Sequence, residues 1–433
     1  MSQTAAPQPA PPPATAPPAT PATPGTAPGT APGTAPAGAA QPDTSYVDTP
    51  ALLNRWQLIG MGVAIVFGIV SALVQFLGWQ ADGRAADDTE QLLRVQEVKT
   101  SLLRADALAT NAFLKGGLED PAQREEYDDA IDGVLTDIAD AAEAQPADRR
   151  ALAALNVEVA DYATGVAQGR DNNRQNFPIG AEYLNTASTD LRASALPILD
   201  ELIKANQERA EDAMAGQHPV WLFVLGVAAL AALVWLNREL ARHFRRRINK
   251  GIALAAVIVA VVTLVTVAGA WIRDSSNDGL RDGEFATAVH EADARTAGND
   301  AKAIESLRLI KRGSGTSYED AWREAAQAVG DSGTGAASEW AAYTEVHDAV
   351  VQLDDGGEWE RARTMAIEES GTAFQPFDDA TRAAIDENGA VATDELRSGR
   401  WLALLLSALT LLLGVAAALA VAGGIGERRR EFS

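Results

Sequence analysis

The chain has 433 residues and no cysteine, and its 36 Lys and Arg residues against 59 Asp and Glu residues give a formal net charge of -23. The absence of cysteine excludes a disulfide-stabilised secreted scaffold, a thiolate metal site and a cysteine nucleophile. The acidity argues against nucleic acid as a partner, because neutralising phosphates requires clustered Lys and Arg side chains.

The amino-terminal residues 1–50 are mainly Pro, Ala, Thr and Gly, with the sequence TAPG repeated around Thr26, Thr30 and Thr34. Such a segment has few side chains to bury, so we predict a disordered tail with polyproline II character. A solvated cytoplasmic tail is the favoured interpretation. A ligand for a proline-reading domain is the alternative.

Four long apolar runs follow, each without a charged residue. About 20 apolar residues in a helix cross the ~30 Å hydrocarbon core of a bilayer, so we predict four transmembrane helices. The first run is expected to be an uncleaved anchor, because it is too long for a signal peptide and follows a tail that is not basic. The predicted spans are 57–79, 219–236, 251–272 and 401–424.

Orientation is predicted from the Lys and Arg residues beside the spans, which concentrate in cytoplasmic loops. The loop 237–250 contains six basic residues and one Glu, and the tail 425–433 contains three consecutive arginines. The two long segments 80–218 and 273–400 each carry 27 acidic and 13 basic residues. The sequence therefore predicts a multi-pass cell-membrane protein with both termini in the cytoplasm and the two long segments outside.

The two outer segments resemble each other in sequence, with short matches in the same order and at similar spacing. In both, apolar residues recur every three or four positions, and Gly or Pro marks three breaks, which predicts four helices per segment. The predicted fold is all-α: a polytopic membrane protein with four transmembrane helices and two tandem extracytoplasmic four-helix bundles. We expect the first and fourth helices of each bundle to continue unbroken into the adjoining spans. The matched pairs centre on Asp106 and Asp300, Tyr127 and Tyr318, Tyr162 and Tyr343, and Pro197 and Pro376.

Pro197 and Pro376 each fall within the predicted fourth helix of their bundle. Proline removes one backbone hydrogen bond and clashes with the preceding turn. These two residues are therefore either passive kinks or hinges in the helix that returns a signal to the membrane.

Spans one and four contain small residues at every fourth position, a pattern that lets membrane helices approach closely. In an Ala-rich chain the same pattern also arises by chance, so both interpretations stay open. The residues are Gly60, Ala64 and Gly68 in span one and Gly414, Ala418 and Ala422 in span four.

Catalytic and metal-binding motifs are missing from the sequence. The four histidines are not at metal-ligand spacing, and no nucleophile elbow, phosphate-binding loop or dinucleotide fingerprint occurs. The uncharged spans make a transporter or channel unexpected, because proton relays and ion filters need polar groups in the membrane. We therefore predict no enzyme activity, no cofactor and no metal.

The layout of four spans, duplicated helical outer domains and a basic middle loop resembles the actinobacterial GlnX family over residues 50–433. The resemblance implies an outer amino-acid-binding lipoprotein, GlnH, as one partner and the cytoplasmic Ser/Thr kinase PknG as the other. It also implies aspartate or glutamate as the ligand, sensed through the lipoprotein. On this interpretation the protein is a transmembrane signal relay without an output domain of its own.

Contact residues for these partners are predicted at the two ends of the molecule. The bundle tips farthest from the membrane offer Arg174, Phe177 and Trp359 as anchors for the outer partner. The middle loop offers a cluster of cations to anionic membrane lipid or to the inner partner. These cations are Arg242, Arg245, Arg246, Arg247 and Lys250.

Two other functional classes stay open from the sequence. One is a direct sensor that binds a small molecule between bundle helices, for which Arg104 and Arg192 are candidates to form an inward pair. The other is a structural membrane scaffold of the cell envelope without signalling. A homodimer is an open alternative for the oligomeric state.

Overall fold

The computed structural model describes residues 49–115, 121–175, 179–244, 248–311 and 315–431, and within these ranges the chain forms helices and no strands. The first half contains α1 Thr49–Lys115, α2 Pro121–Ala144, α3 Arg149–Arg174, α4 Ile179–Asp190, α5 Leu196–Met214 and α6 Pro219–Phe244. The second half contains α7 Lys250–Leu280, α8 Ala286–Ile310, α9 Gly315–Ser332, α10 Ala337–Asp355, α11 Trp359–Met365, α12 Gly371–Arg397 and α13 Arg400–Glu431. Short π-helical turns join three pairs of these helices, at Leu191–Ala195, Arg281–Phe285 and Ala366–Ser370.

Four of the described helical segments are long and apolar enough to cross a membrane, which confirms the predicted fold class. The apolar parts of α1, α6, α7 and α13 pack as a four-helix membrane bundle, in which α1 and α7 each contact both α6 and α13. Their shared core is aliphatic and closely packed. It includes Leu53, Phe67, Leu233, Leu236, Ile252, Val259 and Val421.

The small-residue pattern of spans one and four is used for helix packing. Ala64 and Ala418 are buried. A Cβ atom added at Gly414 would lie 2.6 Å from the Cα of Gly68, so no side chain fits between the two backbones there. This close approach of α1 and α13 confirms the packing interpretation.

The first helical domain consists of the second half of α1 together with α2, α3 and the α4–α5 helix. Each helix presents an apolar face to a common core, as the three- and four-residue spacing predicts. The core is almost wholly aliphatic and includes Val95, Leu102, Val134, Leu155, Val159 and Leu199.

The second helical domain repeats this arrangement with α8, α9, α10 and the α11–α12 helix, but its core is largely aromatic. Trp322, Tyr343, Phe374 and Phe377 pack together there. The matched tyrosines play similar parts, since the Tyr162 hydroxyl donates to Asp106 and the Tyr343 hydroxyl donates to Glu305, each on the first helix of its domain. These shared positions agree with a tandem duplication.

The expected continuity of helices into the membrane is correct for the first helix of the first domain, is interrupted by a kink at Gly283 in the second, and is wrong for both fourth helices. α1 runs unbroken from the membrane into the first domain, and α7 leads into α8 through a π-helical turn. By contrast, residues 215–218 separate α5 from α6, and residues 398–399 separate α12 from α13. Pro219 cannot donate a backbone hydrogen bond, and Gly399 adopts a positive φ of 67°. Each of these residues favours a helix end at the corresponding linker.

Candidate functional site

A buried polar cluster lies where the two helical domains meet the membrane bundle. We call Asp82, Gln217, Arg273 and Asn277 the junction cluster. Asp82 on α1 accepts from Arg273 Nε at 2.9 Å, from Gln217 Nε2 at 3.1 Å and from Asn277 Nδ2 at 3.1 Å. Asp82 is 3 % exposed, so this ion pair is held largely away from water.

The junction cluster also satisfies the ends of both fourth helices. A helix end leaves its last carbonyl groups without intrahelical partners. Asn277 donates to the Met214 carbonyl at the end of α5, at 3.0 Å. Arg273 donates to the Leu396 carbonyl at the end of α12, at 2.7 Å. One turn of α7 therefore caps the fourth helix of each domain and holds α1 through Asp82.

This arrangement couples the helices that enter and leave the membrane. Breaking a buried ion pair strands a charge, so α1 and α7 are expected to move together at this level. A cavity of about 300 Å³ lies beside the cluster, lined by Asp82 and Arg273 together with Trp79, His218 and Leu402.

A second feature is a groove of about 860 Å³ between α4–α5 of the first domain and α8–α9 of the second. On the other side of the molecule α12 packs directly against α1, so the two sides are not equivalent. Side chains of the described residues bridge the groove. The Tyr318 hydroxyl donates to Asn185 Oδ1 at 2.7 Å, and Lys311 Nζ lies 2.8 Å from Glu182 Oε2.

Arg192 is the central bridging residue of the groove. Its guanidinium contacts Asp106 of its own domain at 2.8 Å and Asp300 of the second domain at 2.6 Å. Burial alone would lower the pKa of Arg192, but the two carboxylates outweigh burial and raise it. The side chain is therefore a fixed cation that links the domains, and an acidic ligand would have to displace one of these carboxylates.

The predicted inward arginine pair is not formed. Arg104 is partly exposed and pairs with Glu126 at 3.3 Å, whereas Arg192 pairs with Asp106 and Asp300. Acidic side chains outnumber basic ones along the groove, so its walls do not favour a free acidic ligand. The groove is lined by Asp200, Asp293, Asp300, Glu324 and Asp331, with Lys99 and Arg192 as cations.

Two of the predicted outer anchors, Trp359 and Arg174, lie at the end of the domains far from the membrane bundle. Trp359 is partly buried, and its indole N–H donates to the Leu309 carbonyl at 2.9 Å, which caps α8. Arg363 stacks near the same ring and donates to the Leu114 carbonyl at the end of α1. Arg174 is exposed at the end of α3, and Phe177 lies outside the described residues. A partner contact for Trp359 and Arg174 stays a prediction.

The two prolines occupy related positions in the fourth helices. Pro197 is the second residue of α5, which follows the π-helical turn Leu191–Ala195, and Pro376 lies within α12 after the turn Ala366–Ser370. A π-helical turn beside a proline marks a place where the regular hydrogen-bond ladder is interrupted. The hinge role stays a prediction.

The basic loop is only partly described. Arg242 is exposed and pairs with Glu239 at 3.1 Å, and Lys250 is exposed at the start of α7. The buried Asn249 caps α7 by accepting from Gly251 N and also donates to the Gly424 carbonyl of α13. The loop is therefore tied to the membrane bundle. Arg245, Arg246 and Arg247 lie outside the described residues.

No sequence motif predicts the junction cluster or a buried ionic cluster around His347. Asp82 and Arg273 have opposite charges, and each comes shortly after the end of an apolar run. This placement is a weak signal for an ion pair at the membrane surface. His347 was noted only as lacking metal-ligand spacing, and no group of three or more metal-binding residues occurs in the described part of the chain.

A family model described as the actinobacterial sensor domain matches residues 81–215. The matched segment is the first helical domain, from the start of the junction cluster on α1 to the end of α5. No curated protein and no solved structure matches the chain. The match supports a sensing role and an actinobacterial sensor-type protein, without identifying the GlnX family. A sensor domain on a helical membrane fold also fits a protein that is not an enzyme.

Proposed function

We propose that this protein is a transmembrane signal relay, in which the two helical domains receive a signal outside the cell and the four spans pass it to a soluble cytoplasmic partner. The junction cluster carries the proposal, because one turn of α7 binds α1, α5 and α12 where the sensor-type domain meets the membrane. Packed helices shift as stiff bodies, so a displacement in either domain acts on the same four groups.

The partners that we propose are an outer amino-acid-binding lipoprotein similar to GlnH and an inner Ser/Thr kinase similar to PknG. The resemblance of the whole layout to the GlnX family supports them. The acidic groove agrees with an aspartate or glutamate signal that arrives on a binding protein, since like charges disfavour direct entry. The basic loop 237–250 supplies charge that an acidic patch on the kinase would bind.

The proposed orientation predicts which positions an impermeant reagent can reach. The chain has no cysteine, so single cysteines can be introduced at Glu125, Ser338 and Ile248, which are all exposed. In intact cells a membrane-impermeant maleimide should label the first two, because they lie in the helical domains. Position 248, in the basic loop, should react only after permeabilisation. The reverse pattern would invert the proposed topology.

The relay itself is tested by capturing partners from membranes with the tagged full-length protein. We expect a solute-binding lipoprotein and a kinase to be recovered with the parent chain. The double change Arg245→Gln and Arg246→Gln should lower kinase recovery several-fold, more so at higher salt, because exposed charge interactions are screened. Lipoprotein recovery should stay unchanged.

A matched control and the contrary outcomes separate the functional classes. Arg149→Gln with Arg150→Gln removes two arginines from the first helical domain and should leave kinase recovery intact. Capture of neither partner under any condition would contradict the relay and favour a scaffold. A direct sensor is the second candidate, because the acidic groove has room for a small ligand that is neutral or positively charged. Binding of such a radiolabelled amino acid by the purified protein alone would support it.

A further inference from the structure

A fully buried histidine lies at the centre of the second helical domain. His347 on α10 is 0 % exposed, and its Nδ1 atom is 2.8 Å from Glu305 Oε2. Its Nε2 atom faces Glu319 Oε2 at 3.4 Å, without hydrogen-bond geometry. The imidazole stacks on Trp322 with ring centres 3.7 Å apart and planes 4° apart. The ring is therefore fixed between two carboxylates from two different helices.

Every helix packed around His347 contributes a polar or charged group. Glu305 on α8 also accepts from Lys302 at 2.5 Å, from Ser370 at 2.5 Å and from the Tyr343 hydroxyl at 3.3 Å. Glu319 on α9 is further held by two arginines, at 3.3 Å and 3.1 Å. These are Arg308 on α8, which also pairs with Asp354 and Asp355, and Arg323 on α9.

The geometry favours the charged imidazole. Burial alone would lower the pKa of His347, but its contacts with Glu305 and Glu319 outweigh burial and raise it. Burial alone would raise the pKa of Glu305, but Lys302 and His347 lower it to about 2. Glu305 therefore stays ionised across the physiological range. A group with a raised pKa stabilises the fold at low pH, and this contribution is lost as pH rises through its folded value.

The first helical domain shows that the bundle does not need this ionic cluster to fold. Tyr162 and Tyr343 are matched positions, and the residue four places later is Val166 in the first domain and His347 in the second. Val166 is also 0 % exposed and belongs to an aliphatic core. An aliphatic residue thus fills this core position in one copy, whereas an ionisable one fills it in the other.

Deprotonation would act first on α9. When Nδ1 keeps its proton for Glu305, the loss of the Nε2 proton leaves a lone pair facing the Glu319 carboxylate. Arg308 and Arg323 keep Glu319 charged, so the contact becomes repulsive. The helix that carries Glu319 also carries Tyr318, which donates to Asn185 across the groove. A displacement of α9 therefore alters the bridge to the first domain.

We propose that the second helical domain is a proton sensor, in which His347 binds a proton between Glu305 and Glu319 and its release loosens α9 and widens the groove between the domains. This function goes beyond the relay, because the ligand is a proton and the site lies outside the matched sensor domain. On this proposal the two helical domains respond to different signals, and both domains act on the same junction cluster.

The proposal is tested on the full-length protein in lipid nanodiscs. Spin labels at Thr186→Cys on α4 and Asp320→Cys on α9, both exposed, report the width of the groove in a chain without other cysteines. Between about pH 6 and about pH 9, we expect the inter-label distance to lengthen or broaden as His347 loses its proton. The change His347→Gln should remove this pH response.

Two further measurements decide the outcome. The change His290→Gln, at an exposed histidine of the groove, should leave the pH response intact. Carbon-13 histidine NMR of the parent should show His347 titrating above the ordinary value of about 6.5. The proposal would be overturned if the groove width of the parent did not change with pH, or if the NMR signal of His347 showed a neutral imidazole throughout the range. Both measurements use the parent, so they decide the outcome even if the His347→Gln protein does not fold.

Discussion

Arg273→Met is expected to destabilise the protein by about 3 kcal/mol, because it leaves a buried carboxylate without its cation. Asp82 would keep only the amide donors of Gln217 and Asn277, and the last carbonyls of α12 would lose their partner. Thermal or denaturant unfolding of the purified protein in detergent measures the loss. The same change should uncouple the helical domains from the spans, so partner recruitment should no longer respond to the outer signal.

A control on the same segment separates the junction cluster from a general loss of charge. Arg281→Met removes a cation eight residues further along, where the arginine is partly exposed and, among the described residues, pairs with the exposed Asp278 and Asp282. Its expected cost is below about 1 kcal/mol. In an Asp82→Asn background, Arg273→Met should cost clearly less than in the parent, since the stranded charge is absent. Equal costs in the two backgrounds would show that the ion pair does not carry the effect.

Arg295→Met is expected to destabilise the second domain by about 3–5 kcal/mol and to loosen its contact with the first. Arg295 is 1 % exposed, and its guanidinium lies 2.8 Å from Asp378 and 2.5 Å from Glu97 of the first domain. The change strands Asp378 in the interior with only Asn299 and Arg382 as donors. Hydrogen exchange of α12 and α8 in the full-length protein would localise the loss.

Arg382→Met is the matched control, because Arg382 contacts the same carboxylate from the exposed side, and its expected cost is below about 1 kcal/mol. The pH dependence provides a second check. Burial alone would raise the pKa of Asp378, but Arg295 and its neighbours lower it. Because the pKa of Asp378 is lowered in the folded state, the carboxylate stabilises the fold at pH values above the unfolded pKa of about 3.9. This stabilisation is lost as the pH falls through the folded pKa. Arg295→Met should therefore reduce the acid sensitivity, and an unchanged acid profile would contradict this assignment.

The two helical domains share a topology but differ in what their cores contain. The first has an aliphatic core with buried polar networks around Asp106 and Asp148, whereas the second buries His347, Glu305 and Lys302 among aromatic rings. Buried ionic groups cost desolvation and add little stability on their own. The first copy has Val166 at the position of His347, so the buried histidine is better explained by a response to conditions than by a need of the fold.

The local patterns of the sequence were sufficient for the helical architecture. Apolar runs longer than a bilayer is thick predict spans, and apolar residues at three- and four-residue spacing predict amphipathic helices. The three breaks predicted from Gly and Pro in the first domain agree with the separation of α1 from α2, of α2 from α3 and of α3 from α4. The close approach at Gly68 and Gly414 was also readable, because only the smallest side chains allow it. Each of these signals acts within one helix.

The functional contacts depended on pairings between distant segments, which no local pattern specifies. Asp82 and Arg273 are 191 residues apart, and Glu97 and Arg295 are 198 residues apart. Asp, Glu and Arg residues also occur throughout the solvated faces of the helices. Only the packing of α1 against α7 and α8 therefore decides which of them become buried partners. His347 illustrates the point, since its sequence position resembles that of a solvated histidine. The sequence determined the helices, and the tertiary structure decided which charges are removed from water and so have to act together.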